Sequence, residues 1–318
     1  MEDLRGVTWM TELSSQAQDI VMSSWSAGIT KSYDTYSKQW TEFCSSRNID
    51  ATRATVNVGI EFLTYLFTNK KLGYSAINSA RSALSNFIQT NDIPFGKLPV
   101  VTRFMRGVFR LRPSLPKYTV IYDPQIVLDY LKTITDMNLK TLTLKLTTLL
   151  CFVTGQRNQT INSLDIDFMY DDGDEKIIFY IPNILKATTR GNHLKPIELL
   201  EYDEDDSLCV VTHIRLYLDV TKSIRKKHTR LLLSFVAPHS PVSAATTARW
   251  DKQTLAEAGI DTTKFTTHST RASSTSSAEQ KGLSLSDIRR AAGWKPGSTF
   301  ATFYQKPMVK NFGQTVIH

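Results

Sequence analysis

The chain has 318 residues, with 38 Lys and Arg against 30 Asp and Glu, giving a formal net charge of +8 and a pI near 9.3. With 41% apolar and 21% charged residues it can fill two cores and is not disordered throughout, and its three scattered cysteines (Cys44, Cys151, Cys209) exclude a disulfide scaffold or zinc ribbon. The N-terminus has no basic or apolar leader region, and the longest apolar stretch, 142–153, is too short to span a bilayer, so an intracellular protein without membrane contact is expected, its positive surplus pointing to nucleic acid.

In the first third, apolar residues recur at helical spacing in Ile20–Val21–Trp25, Tyr33–Tyr36–Trp40–Phe43, Ile60–Leu63–Phe67 and Ile77–Ala80–Leu84–Phe87. Short polar connectors separate them, which predicts a bundle of four or five helices. The stretch 103–118 reads RFMRGVFRLRPSLPKY. Arg103, Arg106 and Arg110 fall at i, i+3 and i+7, so one helical face carries three guanidiniums; Arg112 and Lys117 follow. Pro113 and Pro116 stop the helix and stiffen a link, which puts a domain boundary between 1–115 and 116–318. The arginine face is either a solvated surface or a grip on phosphates.

The second domain is mixed. Helices are expected at Pro124–Ile134 and Thr141–Val153, the latter leading into Thr154-Gly155. Lys176–Pro182 and His193–Leu200 read as strands joined by a basic loop, Asn183–Asn192, that holds Lys186 and Arg190. Helices follow at Leu208–Arg225 and Ala244–Ala258. The Ser/Thr-rich stretch Thr262–Ser277 resembles a linker in composition. However, His268 and Arg271 sit in it one helical turn apart, which favours a helix that approaches phosphates closely. Ser284 or Ser286 can cap a helix that finishes at Gly293, and Ser298 a last one that Pro307 ends. The fold class is therefore mainly α with a small β-sheet: an N-terminal helical bundle followed by an α+β domain.

Phosphate loops, dinucleotide fingerprints, H-E-x-x-H and G-x-S-x-G are all missing, and the six histidines do not cluster at metal-ligand spacing. The acidic runs at Asp165–Glu175 and Glu198–Asp206 read as solvated turns. One ordered set stands out: Arg157 in Thr154-Gly155-Gln156-Arg157, Lys186, His268 and Arg271 as H-x-x-R, Trp294 in Ala292-Gly293-Trp294, and Tyr304. Each has a bland alternative as a cap, a loop lysine or a core aromatic, and Lys195 and Arg190 compete with Lys186.

In order and spacing these six residues resemble the signature of the tyrosine recombinases, the phage-integrase family. Trp294 lies twenty-six residues after His268, and Tyr304 ten beyond Trp294. That last spacing, with the wording THSTRASS and AAGWKPGSTFATFYQKP, is most similar to recombinases of eukaryotic DIRS and Ngaro retroelements or crypton transposons. The resemblance implies a SAM-like core-binding domain, then a catalytic domain that cleaves and rejoins DNA through a 3′-phosphotyrosine, with no metal or other cofactor. It further implies that double-stranded DNA is the partner, with a dimer on each site and a homotetramer on two duplexes, in the nucleus. Tyr304 would be the nucleophile, Arg157 and Arg271 the phosphate clamps, Lys186 the general acid, and His268 and Trp294 hydrogen-bonding partners of the phosphate. Planar guanidinium forks match phosphate geometry, and an indole N–H can donate but not shuttle protons. Arg103, Arg106, Arg110, Arg112, Lys117 and Arg190 are the expected DNA contacts. Two alternatives share the fold: a type IB topoisomerase-like activity and a host-adopted, inactive DNA-binding protein.

Overall fold

In the computed structural model, which describes residues 12–113, 120–185, 188–191 and 193–294, Ser14 and Ser26 open the first two helices. Their hydroxyls accept from the backbone N–H of Ala17 (3.3 Å) and Ile29 (3.4 Å), satisfying donors that a helix start leaves bare. The chain divides into two units, Met1–Pro116 and Lys117–His318.

The first unit holds α1 (Ser15–Met22), α2 (Ala27–Ser45), α3 (Val56–Thr68), α4 (Tyr74–Leu84) and α5 (Pro99–Leu111). A two-residue ladder, β1 (Gln89–Thr90) with β2 (Ile93–Pro94), joins α4 to α5. It is too short for sequence alternation to announce it. Trp40 and Phe62 are fully buried and meet edge-on at 5.4 Å, and the Trp40 indole N–H donates to Ala51 O at 3.2 Å. Such an aromatic pair adds about 0.5–1.5 kcal/mol beyond the area it buries. Pro99 starts α5, where its missing N–H costs nothing. Val101, Met105 and Val108 turn inward from α5, while Arg103, Arg106 and Arg110 are exposed.

Arg112 departs from the expectation that grouped it with those three. Its guanidinium donates to Leu72 O (2.6 Å) and Phe67 O (3.4 Å) and stacks 4.2 Å from the Phe67 ring centroid. The side chain thus closes the end of α3 and the turn that follows it, because α5 ends beside these carbonyls.

The second unit is built around α7 (Leu139–Thr154), which follows α6 (Pro124–Thr133). Twelve of the sixteen residues of α7 are buried, four threonines and Lys145 among them. Three of the four buried threonine hydroxyls bond back one turn, among them Thr147 to Thr143 O (2.7 Å) and Thr154 to Leu150 O (2.6 Å). Asn138 caps the start of α7 and Gly155 its end. Around it pack α9 (Val210–Thr221), α10 (Ala244–Glu257) and α11 (Thr267–Gln280). The remaining helices are the short α8 (Asn158–Asn162) and α12 (Leu285–Ala291), the latter capped by Ser284 through Asp287 N at 3.1 Å.

A three-stranded antiparallel sheet runs in the order β3 (Met169–Asp171), β4 (Lys176–Phe179), β5 (Ile197–Leu200). The register pairs Ile177 with Leu199 and Phe179 with Ile197, and these four side chains share the buried face. β4 and β5 lie inside the two expected strands but are shorter, and β3, with Tyr170 exposed at its centre, was not anticipated. The acidic run beside β3 is only partly solvated. Arg215 on α9 donates to Asp171 (2.8 and 3.2 Å) and holds its carboxyl below the usual carboxylate range. All three cysteines are free and buried.

Candidate active site

Arg157 owes its place to Gly155. α7 ends where Gly155 adopts φ +56°, the left-handed conformation that stops a helix without cost only for glycine. A Cβ there would sit 3.1 Å from Thr275 Cγ2, tighter than most such contacts, so glycine also eases the close approach of α7 to α11. Two residues on, Arg157 is extended (φ −76°, ψ 148°), and its carbonyl starts α8 by accepting from Thr160 N at 2.7 Å. The side chain is half-exposed. Among the described residues its guanidinium has no hydrogen-bond or ion-pair partner.

The intervening residue, Gln156, is buried and donates from Nε2 to Ala291 O at 2.5 Å. Arg271, 2% exposed, donates from Nη2 to the next carbonyl, Ala292 O, at 2.7 Å. The last turn of α12 therefore ties down both the strap that carries Arg157 and the Arg271 guanidinium. Immediately after that turn, Gly293 (φ +64°) redirects the chain, and the Trp294 ring lies 4.3 Å from Arg271 Cζ. This cation–π contact orients the guanidinium plane.

His268 is exposed on the first turn of α11, one turn before Arg271, as the H-x-x-R spacing predicts. The Ser/Thr-rich stretch is thus mostly helix rather than linker. Its small side chains allow close packing, and Ser273 Oγ donates to Tyr122 O at 2.7 Å.

The structure sets Arg271 against Trp294 and ties the strap that precedes Arg157 to the same turn through Gln156 and Ala291, with His268 on the same helix as Arg271. Lys186, Lys117 and Tyr304 lie outside the described residues. Arg190 is exposed in the turn between β4 and β5. Lys195 is also exposed and lines a cleft of about 900 Å³ with Gln156, Tyr180, Leu194 and Arg290. The cleft also carries two carboxylates, Glu198 and Asp287, the latter paired with Arg290 at 2.7 Å. The planar donor forks of Arg157 and Arg271 are of the type that suits an anion with charge on two oxygens. Among the described residues no group of three or more His, Cys, Asp or Glu is placed to hold a metal ion.

Sequence reasoning missed two features. Gln156 lies within Thr154-Gly155-Gln156-Arg157, but nothing in the linear pattern shows that its side chain turns inward. Asp251 on α10 carries no signal in the sequence. It is fully buried, and Thr270 Oγ1 donates to its Oδ2 at 3.0 Å. Burial pushes its carboxyl up to about 7.

The sequence profile of the Phage integrase family matches residues 125–309. Among solved structures, the chain is similar to the XerH site-specific recombinase bound to palindromic difH substrate in a post-cleavage complex, with a TM-score of 0.57 and 14% identity over 86% of this chain and 74% of that one. It is also similar to the Tn1549 transposon integrase in complex with transposon right-end DNA (TM-score 0.55, 14% identity, 89% and 91% covered). A third similar structure is lambda integrase residues 75–356 bound to DNA (TM-score 0.53, 15% identity, 94% and 96% covered). At these identities the likeness concerns the fold. No curated protein matches the chain in sequence.

Proposed function

The chain belongs to the phage integrase family, and from that premise we propose that it is a site-specific DNA recombinase of a mobile element. In this reading Tyr304 attacks a DNA phosphodiester. The Tyr304 oxygen bonds to phosphorus, the bond from phosphorus to the 5′-oxygen breaks, and a 3′-phosphotyrosine retains the bond energy for rejoining. Arg157 and Arg271 neutralise the two non-bridging oxygens, each contributing on the order of 3–4 kcal/mol to the transition state. Lys186 gives the departing 5′-oxygen its proton, and Lys195, on the cleft rim, is the alternative donor. His268 accepts the Tyr304 proton or bonds a phosphate oxygen, and the Trp294 N–H donates to phosphate.

The observation that carries this reading is the pair of adjacent carbonyls, Ala291 O and Ala292 O, that hold Gln156 and Arg271 at one place. Two guanidiniums on separate segments act on one phosphate only if their relative position is fixed, and the shared anchoring of Gln156 and Arg271 supports such a fixture. The exposed Arg103, Arg106 and Arg110 face of α5 is the proposed grip on the DNA backbone, with Lys117 and Arg190 as further contacts. The ten-residue interval from Trp294 to Tyr304 favours an element of the DIRS, Ngaro or crypton kind, acting in the nucleus as a tetramer on two duplexes.

A nicked suicide substrate built on the element end tests the proposal. The wild-type chain is expected to form a covalent protein–DNA adduct that Tyr304→Phe abolishes. An adduct that survives in Tyr304→Phe removes Tyr304 as nucleophile. Sequence-specific DNA binding with no adduct favours a host-adopted binding protein, and relaxation of any supercoiled plasmid by a monomer favours a topoisomerase.

A further inference from the structure

On a different bearing from Arg271, α11 is held by a buried chain of hydroxyls ending on a carboxyl. Tyr122, just before α6, donates from its hydroxyl to Thr270 Oγ1 at 3.0 Å, and Thr270 Oγ1 donates in turn to Asp251 Oδ2 at 3.0 Å. The Tyr122 backbone adds a second attachment one turn along, accepting from Ser273 Oγ at 2.7 Å. Thr270 is the residue before Arg271. The two side chains leave the helix about 100° apart, so the clamp fixes the rotation of α11 while Arg271 projects on a different bearing. Asp251 and Thr270 are at most 1% exposed.

We propose that Asp251 is a positioning residue for Arg271 and His268, acting through Thr270 and Tyr122 to set the rotation and depth of α11. The connection to catalysis rests on the recombinase reading above; the connection to α11 does not.

Two observations support an uncharged Asp251 in this role. Among the described residues its buried Oδ1 makes no hydrogen bond, and burial raises the carboxyl to about 7. From α7 the titratable neighbour is Cys151, itself kept a neutral thiol by burial. α8 carries no titratable side chain. On α11 the guanidinium of Arg271 is bonded to Ala292 O, and on α6 Tyr130 donates to Glu257, near the end of α10, at 3.0 Å. A neutral carboxyl can be replaced by an amide of the same shape, so Asp251→Asn should preserve what Asp251→Ala destroys.

The test compares full-length wild type, Asp251→Asn and Asp251→Ala by hydrogen exchange of the 267–280 amides, by DNA affinity and by adduct formation on the nicked substrate at saturating DNA. Asp251→Ala is expected to lose protection in α11 and to form adduct on the order of 10- to 100-fold more slowly, a loss typical of a small misplacement, with DNA affinity unchanged. Asp251→Asn should retain both protection and rate. Its Tm relative to wild type should rise from pH 5 to about pH 7 and then level off, because in that range unfolded Asp251 is ionised while the buried carboxyl holds its proton, and the amide has no such difference. If Asp251→Ala does not fold, Thr270→Val, which removes the bridging hydroxyl, should show the same two losses. Unchanged protection in Asp251→Ala, lost protection with an unchanged rate, or failure of Asn to rescue overturns the proposal. If wild type forms no adduct on any element-end DNA, the recombinase reading fails, and the exchange data still decide whether Asp251 holds α11.

Discussion

Gln156 and Arg271, 115 positions apart in sequence, donate to consecutive carbonyls, those of Ala291 and Ala292. Each bond alone is ordinary. Together they make the last turn of α12 a common reference for the Arg157 strap and for α11, with Trp294 stacked on Arg271 directly beyond it.

Gln156→Ala removes one of the two bonds and leaves the Ala291 carbonyl without its partner. We expect a stability loss of about 1–2 kcal/mol by chemical denaturation, the cost of a buried hydrogen bond. Adduct formation should fall by more than that stability loss accounts for, since Arg157 is no longer registered against Arg271.

Replacing the arginines by lysine separates their duties. Arg157→Lys keeps the charge on a half-exposed side chain, so thermal stability should hold while cleavage drops about 100-fold or more for want of a planar donor fork. Arg271→Lys should lose cleavage similarly and stability as well, because the guanidinium is buried and bonded to Ala292 O. A lysine at either position that supports near wild-type adduct formation would contradict the two-fork clamp.

Arg106 and Arg112 lie on or just after the same helix but should behave oppositely. Arg106→Ala, on the exposed face, is expected to weaken DNA binding, lower its salt dependence by about one counterion and leave the Tm alone. Arg112→Ala removes the bonds to Leu72 O and Phe67 O and should cost the first unit about 1–3 kcal/mol with no change in the salt slope. Binding measured across a salt series, beside thermal melts, distinguishes the two.

His213 is buried on α9, bonded through Nδ1 to Cys209 O at 2.7 Å, and burial holds its pKa below the usual value, with Lys145 adding to the effect. The unfolded chain therefore takes up a proton near pH 6.5 that the folded chain refuses, and the His213 contribution to stability declines as pH falls through that range. Asp251 works in the opposite direction, losing stability as pH rises toward 7. Denaturation midpoints from pH 5 to 8 should rise more steeply with pH in Asp251→Asn than in wild type, and a His213→Leu variant should lack the acid-side decline.

The parts of this site that sequence made legible are those where residue type and spacing carry the chemistry. Arg157 after a Gly-terminated helix, His268 and Arg271 one turn apart, and the Gly293-Trp294 turn all fall where periodicity and capping place them. Asp251 stayed hidden because a lone acid in the pattern TTARWDKQTLAE looks like any solvated helix position; only the packing of α7 and α11 around it makes it exceptional. Arg112 was read by its charge, whereas its contacts are set by where α3 happens to end. β3 escaped notice because three residues are too few to show a two-residue period.

The chain beyond Trp294 leads in ten residues to Tyr304, and it departs from the same turn that anchors Gln156 and Arg271. Mechanically, that turn is a shared fulcrum. On the recombinase reading, a pull on the chain beyond Trp294 would be felt at Ala291 and Ala292, the carbonyls that hold Gln156 and Arg271. Under the proposed mechanism, supply of the tyrosine and grip on the phosphate would then not be independent settings, and a neighbouring molecule that takes hold of the chain after Trp294 would adjust the two together.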